Sequence, residues 1–547
     1  MHEIITLQLG QKSNYLATHF WNTQLKQAQE SYFTYSADEE SQVDHDVHFR
    51  PGIGADDTET FTPRTLIYDL KGGFGSMRKI NALYEIDEPA VTEGLWLEPL
   101  DTVAHSNVKS HSRNGPAVIQ RQAVIQQNEY QKSLEEGVAP PQLTPQSVRY
   151  WSDFNRVYFH PRSVVQLNEY ELNSSLTPFD NWGAGEELFN SLDKEHDLLD
   201  RDLRYFAEEA DQMQGIQLMS GIDDAWGGFA ARYLDRIRDE YGKTPVMFWG
   251  LEDNIKNIPR EKRFIKLSNA ARSISEISPQ SSVFVPLTVP SGNLPPYMKL
   301  NLQSEWHISA LLATAVESVS LPSRLKLQIS NRETLSLLEN SLNTNGNQTI
   351  AKLQMSVDQK EAANGVHNGD APLLSESTDS RIFSQADANI YSETKNLDMD
   401  FFPAGGEEQL RGPRRSKKVH VFGQTELSRT SEDADPSNPT GAYDGYERAR
   451  RRAAGLPIIQ KRTVAMPYPI LDSFPDIFSG IQQLSTPLAI STSLSTDTTV
   501  ALLIKNLQQI VNRAIGVDER EALSNSLGGI AEAYEEGWDS GTDDDDD

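Results

Sequence analysis

The chain opens with a strand, a glycine and a helix in that order, and this succession constrains its fold more than any other stretch. Ile4, Ile5, Leu7 and Leu9 form a short apolar run of the kind a fully buried strand needs. Gly10 breaks the run, Ser13 is the expected N-cap, and Leu16, Phe20, Trp21, Leu25 and Ala28 follow at roughly helical spacing. Thr65-Leu-Ile-Tyr-Asp-Leu70 is a second strand, followed at once by Lys71-Gly-Gly-Phe-Gly75. The alternation resumes at 186. One amphipathic helix carries Leu188, Phe189, Leu192, Leu199, Leu203 and Phe206; Ile216-Gln-Leu-Met219 is a strand. A helix from Trp226 to about Tyr241 and a strand at Pro245-Val-Met-Phe-Trp249 complete the unit. Strand–helix–strand units with short links predict an α/β fold with a Rossmann-type parallel sheet and helices on both faces.

A length of 547 residues allows two or three domains, because single cores stop growing near roughly 250–300 residues. Residues 1–330 are read as one α/β domain, with an insertion over about 76–180. That insertion holds a Gln-rich helical part (118–135), a break at Ala139-Pro-Pro141 and an aromatic run from Tyr150 to His160. Residues 36–62 read as an acidic loop. A helix near 305–319 leads towards a smaller α+β C-terminal domain. The stretch 331–440, rich in Ser, Asn, Asp, Gly and Glu, is expected to be a mostly disordered insertion, with order returning at Val419-His-Val-Phe422. Residues 441–535 complete the C-terminal part, and 536–547 form an acidic tail that must be solvated.

Composition removes several functions. A formal charge of −29 argues against nucleic acid as a direct partner, since phosphate binding needs clustered Lys and Arg. The absence of cysteine excludes disulfides, thiolate zinc sites and cysteine nucleophiles. No run approaches 18 apolar residues, so no transmembrane helix is expected. The start is not a transit peptide: the first arginine is Arg50, and Glu3 is already acidic.

Candidate chemistry is sparse. Gly72-Gly-Phe-Gly75 after a strand has the backbone freedom to cradle phosphate, but it lacks the P-loop lysine and the dinucleotide spacing, which favours a tight turn. Asp44-His-Asp-Val-His48 has metal-ligand residue types without a third His or Cys nearby, which favours a solvated loop and no metal site. Gly-x-Ser-x-Gly and His-Glu-x-x-His are absent. Two basic clusters interrupt the acidic chain, Arg411-Gly-Pro-Arg-Arg-Ser-Lys-Lys418 and Arg448 with Arg450, Arg451 and Arg452. Attachment to an anionic lipid or acidic partner is one reading; the favoured one is that they solvate a linker and a helix, or pair with the acidic tail.

Ile4-Ile-Thr-Leu-Gln8, then Leu9-Gly-Gln-Lys-Ser-Asn14, then His19-Phe-Trp-Asn22 resemble the start of tubulins: a strand, a Gly-Gln-x-x-Asn phosphate loop and a helix ending in Phe-Trp. Pro63-Arg-Thr-Leu-Ile-Tyr-Asp-Leu70 resembles the tubulin strand that leads into an acidic, Mg²⁺-linked loop. Asn181-Trp182, Gly185-Glu186, Met213-Gln-Gly-Ile-Gln-Leu218 and Ile237-Arg-Asp-Glu-Tyr241 follow in the tubulin order. Within that superfamily, Tyr68-Asp-Leu-Lys-Gly-Gly-Phe-Gly75, Trp151-Ser-Asp-Phe154, His160-Pro-Arg-Ser163 and Ser220-Gly-Ile-Asp-Asp-Ala-Trp-Gly-Gly-Phe229 resemble the misato family, the fungal Dml proteins.

The resemblance implies a tubulin-like fold and a role in partitioning mitochondria and inheriting mitochondrial DNA. It implies a peripheral mitochondrial location with a cytoplasmic pool, and protein partners that include tubulin or the cytosolic chaperonin as candidates. It also implies a residual nucleotide pocket at Gly10, Gln11, Asn14, Asp69, Gly227, Gly228 and Asn269, with GTP as the candidate ligand. The departures point away from GTPase activity. Where tubulins carry a Gly-Gly-Gly-Thr-Gly-Ser-Gly loop, this chain has Asp223-Asp-Ala-Trp-Gly-Gly-Phe229, which sets two carboxylates beside the phosphates and leaves Gly227 and Gly228 permissive. Lys71 replaces an acidic residue after Asp69-Leu70, Glu305 stands at the second guanine-contacting position, and Lys326-Leu-Gln328 replaces the activating Asn-x-Asp loop. Three readings follow: a non-catalytic scaffold, which we favour; a GTP-binding switch or weak GTPase; and an assembly factor for tubulin or its chaperonin.

Overall fold

The structure, a computed structural model, describes residues 2–33, 42–53, 59–77, 125–290, 294–326, 333–357, 397–403, 419–430, 445–479 and 487–535. Six parallel strands form the central sheet: β1 (Glu3–Leu9), β4 (Thr65–Lys71), β5 (Val164–Glu171), β6 (Met213–Gly221), β7 (Val246–Leu251) and β8 (Val283–Leu287). Their spatial order is β5-β4-β1-β6-β7-β8. The register sets Leu7 beside both Leu66 and Leu218, and Leu218 beside Phe248. β1, β6, β7 and β8 read as near-continuous apolar runs because both faces of the sheet are covered.

One face packs on α1 (Gln11–Phe33) and α7 (Glu305–Ser320), with Leu16, Phe20, Ile67, Met219, Trp249 and Leu311 in the shared core. The other packs on α3 (Trp182–His196), α5 (Ala225–Glu240) and α6 (Arg260–Ile277) through Leu7, Tyr68, Phe189, Leu218, Phe229 and Ile274. The short α2 (Glu129–Glu135) and the aromatic run behind it join the first face, where Tyr130, Trp151 and Phe154 are fully buried.

A second, mixed sheet has the order β10-β9-β13-β11-β12, formed by β9 (Lys352–Val357), β10 (Met399–Asp400), β11 (Val421–Arg429), β12 (Ile458–Val464) and β13 (Ile490–Asp497). β11 and β12 run parallel and are joined through α9 (Gly445–Ala453). The remaining helices of this half are α8 (Leu335–Leu342), α10 (Thr499–Ala514) and α11 (Val517–Glu532), the last two packed on α6 of the first half. Between the halves lies a buried ion triad. Glu317 of α7 accepts from Arg324 at 2.5 Å and from Arg429, and each of the three is 1% exposed or less.

Four expectations need correction. The stretch 331–440 is not a linker where it is described: besides β11, which begins where order was expected to return, it supplies α8, β9 and β10, because Leu353 and Met355 alternate inward along a strand whose outer face is polar. The remainder of that stretch, the tail, and 78–124 with its Gln-rich 118–124 lie outside the described residues. Residues 36–62 are not all loop, since β2 (Phe49–Ile53) and β3 (Glu59–Pro63) pair antiparallel. The helix expected across 188–206 breaks at Asp197, which adopts a left-handed backbone (φ 46°), and restarts through a wide turn into α4 (Arg204–Glu209). Ser13 is not an N-cap: α1 begins at Gln11, and the Ser13 hydroxyl donates to the Gly10 carbonyl at 2.7 Å.

Candidate functional site

In open parallel sheets, ligands bind outside the carboxyl ends of the strands. Those ends bring together Gly10 after β1, Asp69 near the end of β4, Asp223 and Asp224 after β6, and Glu252 and Asp253 after β7. Gly10 makes the turn into α1 with φ +83°, a conformation open to glycine, and its N–H donates to the Tyr68 carbonyl at 2.9 Å.

Gln11, Asn14 and Asp69 do converge, and they converge on each other. The Gln11 side-chain amide donates to Asp69 at 2.5 Å and to the Gly73 carbonyl at 2.9 Å. Asn14 donates to the same carboxylate oxygen at 2.8 Å, and the Trp151 indole N–H at 3.2 Å. The backbone N–H of Leu70 serves the other oxygen at 2.9 Å. Burial pushes the Asp69 carboxyl up to about 7, even against these donors. The Gly72–Gly75 segment is the tight turn its sequence suggests, and it closes on this network: a Cβ on Gly73 would lie 2.4 Å from the Asp69 carboxyl carbon.

Beside this network lies an ion cluster. Lys12 reaches Asp223 at 2.5 Å, Asp253 at 2.9 Å and Asp224 at 3.4 Å. Lys266, from α6, reaches Asp253 at 2.6 Å and Asp223 at 3.0 Å. Burial pulls the Lys12 ammonium down, but Asp223, Asp253 and Asp224 more than reverse it, so it sits well above its ordinary value. Burial likewise opposes the Asp253 charge, and the two lysines overcome it, holding that carboxyl well below its usual range. Glu252 makes no ion pair among the described residues: burial, then Asp223, push it up to about 8 against the pull of Lys12 and Lys266.

The loop after β6 therefore does not have a phosphate-binding form. Asp224 caps α5 itself, accepting the Trp226 N–H at 3.0 Å. The Trp226 indole lies on Gly10, so close that a Cβ there would sit 2.3 Å from its Nε1, and it meets the Phe179 ring edge-on at 5.2 Å. What remains open is a cavity of about 230 Å³ bordered by Leu9, Gln11, Lys12, Asn173, Asp224 and Trp226.

The other expected site residues serve packing. Gly227 and Gly228 lie in the first turn of α5, where a Cβ on Gly228 would fall 2.0 Å from the Trp182 carbonyl oxygen and one on Gly227 2.1 Å from the Ser273 hydroxyl. They let α5 approach α3 and α6. Asn269 is 1% exposed and fully engaged: it donates to the carbonyls of Asp180 at 2.7 Å and Asp223 at 3.1 Å, and accepts from the Trp182 N–H at 3.2 Å. Sequence reasoning missed Lys12, Asp253, Lys266 and Trp151. Their only local signal was a lysine inside a Gly-Gln-x-x-Asn loop; the contacts reach as far along the chain as Lys12 to Asp253. Among the described residues, no group of three or more His, Asp or Glu side chains is placed to hold a metal ion. His45 and His48 are buried, and the His48 ring pairs with the Gln24 side chain at 2.8 Å.

Residues 2–136 match the Misato Segment II tubulin-like domain, and residues 140–325 match a tubulin domain family. Across its full length the chain is 49% identical to Protein dml-1 of Neurospora crassa, with 100% of both chains covered. It is 46% identical to Protein DML1 of Coccidioides immitis at the same coverage. The chain belongs to the misato family of tubulin-like proteins. Protein dml1 of Schizosaccharomyces pombe is more distant, 35% identical over 59% of this chain and 66% of its own length. The misato family model ends near residue 136 and the tubulin model takes over at 140, so the tubulin match spans β5 to α7, the part that supplies the loop carrying Asp223 and Asp224.

Proposed function

We propose that this chain is a non-catalytic tubulin-like protein that acts through protein contacts in partitioning mitochondria and inheriting mitochondrial DNA. It works from the mitochondrial surface and the surrounding cytoplasm, with tubulin or the cytosolic chaperonin as candidate partners. The organelle role rests on the misato-family resemblance. The non-catalytic part rests on one observation: the crevice where a nucleotide's phosphates would lie is taken up by the chain's own groups. Trp226 covers Gly10, Asp224 uses the α5 N-terminus, and both lysines are committed to carboxylates. A triphosphate would have to displace the indole and compete with three aspartates. Among the described residues no helix is long and apolar enough to cross a membrane, which suits peripheral association.

The test is calorimetric titration of the purified full chain with GTP, with and without Mg²⁺, alongside depletion in cells with mitochondrial DNA and organelle distribution scored. No saturable binding together with mitochondrial DNA loss is expected. Submicromolar GTP binding with phosphate release would overturn the non-catalytic reading, and normal organelle distribution after depletion would overturn the inheritance role.

A further inference from the structure

The α9 helix is a basic feature on a strongly acidic molecule. Its sequence, Gly-Tyr-Glu-Arg-Ala-Arg-Arg-Arg-Ala, carries four arginines and one glutamate. Arg451 turns inward and donates to the Pro457 carbonyl, whereas Arg450 and Arg452 are exposed and Arg448 is half-buried. Arg450 has Glu447 at 3.0 Å, an exposed pair worth little. Arg452 donates to the Asn340 carbonyl at 2.9 Å, and Arg448 holds a buried Nε that donates to nothing among the described residues. The result is a local surplus of positive charge on a chain of formal charge −29.

Three contacts tie this helix to the end of the described chain. Arg452 holds Asn340 in α8. Asn343, one turn on, accepts the Gln348 N–H at 2.9 Å, and the Gln348 side chain donates to the Ala533 carbonyl at 3.0 Å. With ~1.5 Å per helical residue, ~3 Å per hydrogen bond and the Asn343 and Gln348 side chains added, the Arg452 guanidinium lies within about 30 Å of Glu535. The sequence continues from there with Glu536, Asp539 and Asp543–Asp547 and no basic residue. An extended chain reaches about 26 Å by Asp543 and about 40 Å by Asp547. The acidic run can therefore reach α9 without strain.

We propose that Asp543–Asp547 docks on α9 and covers Arg448, Arg450 and Arg452, so that the chain masks its own basic helix. The tail is the occupant favoured by complementary charge, by reach and by being held near the helix at all times, which gives it a high effective concentration. An acidic partner must then displace the tail to use α9. This inference is independent of the nucleotide reading.

Because the chain has no cysteine, two labels can be placed without background. The full chain carrying Ala454→Cys and Thr542→Cys, spin-labelled at both positions, is measured by pulsed dipolar spectroscopy. A narrow distance distribution centred at about 20 Å or less is expected, well inside the tail's reach. It should broaden and move outward in about 1 M salt, where exposed charges are screened beyond about 3 Å. Neutralising the tail (Asp543→Asn through Asp547→Asn) should give the same broad, long distribution at low salt. Arg448→Gln with Arg450→Gln and Arg452→Gln should match it; the tail variant carries the test if this helix variant folds poorly. A broad distribution at low salt, or a short one that neither salt nor the tail variant changes, overturns the proposal. A short distance seen only between two singly labelled chains assigns the helix to a second copy and also overturns it.

Discussion

Gly185 and Gly228 face one another's backbone where α3 crosses α5, and replacing either with alanine gives a test with a definite sign. In an ordinary helix, Gly→Ala is stabilising by about 0.8–1 kcal/mol, because alanine restricts the unfolded chain. Here a Cβ on Gly185 would lie 1.6 Å from the Ala225 carbonyl oxygen and 2.9 Å from the Phe229 nitrogen. On Gly228 it would lie 2.0 Å from the Trp182 carbonyl oxygen. These obstacles are backbone atoms, so no rotamer change relieves them and the helices must separate. Overpacking of this kind costs about 1–3 kcal/mol, and more when backbone must move. Set against the propensity gain, each variant should lose about 1–2 kcal/mol.

The internal control is Gly529 in α11, where an added Cβ meets nothing within 4 Å; Gly529→Ala should gain about 0.5–1 kcal/mol. Urea unfolding followed by tryptophan fluorescence reads all three, with midpoints falling for G185A and G228A and rising for G529A. The pair G185A/G228A should be less destabilised than the sum, since one helix separation relieves both clashes. If G228A raised the midpoint as the control does, the tight crossing would be wrong, and Gly228 would again be free for the phosphate-loop role its alignment suggests.

Three further outcomes follow from the charges. Lys12→Met strips the nearest cation from Asp223, which is 2% exposed, and should cost about 3–5 kcal/mol in urea unfolding; adding Asp223→Asn should recover part of it. Glu317→Gln should cost a similar about 3–5 kcal/mol, because Arg324 and Arg429 remain buried with a weaker acceptor. For Glu252 the sign follows from its carboxyl, raised from an ordinary 4.5 to about 8: the folded state holds the proton more tightly, so this contribution is complete below about pH 4.5 and is lost as pH rises through about 8. Glu252→Gln should therefore flatten the decline in urea midpoint between pH 6 and 9, and an unchanged decline would refute the assignment.

The parallel sheet was legible because its strands are buried on both faces. Ile4–Leu9 and Ile216–Met219 are short, mostly apolar runs in which even Thr6, Gln8 and Gln217 are buried, as a covered sheet requires. β9 was hidden for the opposite reason. Lys352-Leu-Gln-Met-Ser-Val357 alternates, so its polar half blended into the Ser- and Asp-rich sequence around it. The break at Asp197 carries no apolar signal, since Leu199, Leu203 and Phe206 continue a plausible stripe beyond it. In the site, Gln11, Asn14 and Asp69 could be found because the segments that carry them, Gly10–Asn14 and Pro63–Leu70, resemble tubulin motifs. The Lys12–Asp223–Asp253–Lys266 cluster could not, since it draws one residue from each of four segments that meet only when the sheet closes.

That cluster also bears on how, under the proposed reading, a nucleotide-type fold would stand without a ligand. A crevice at the carboxyl ends of parallel strands collects helix N-termini, loop amides and side-chain donors, and each of these must find an acceptor once buried. A bound phosphate would supply such acceptors and lend the fold a stability that rises with ligand concentration. Here the acceptors are covalently part of the chain: Asp224 serves the α5 terminus, Asp69 takes the donors of Gln11, Asn14 and Trp151, and Asp223 with Asp253 takes both lysines. On the proposed reading, the two aspartates that look hostile to nucleotide in the sequence are the replacement for it. They keep the strand ends ordered and leave the surface of the molecule, not its crevice, as the part exposed to selection for partners. The same logic explains why Lys12 should matter more to folding than Gly227 or Gly228: removing it leaves Lys266 to face both Asp223 and Asp253, and takes from Asp224 the ammonium at 3.4 Å.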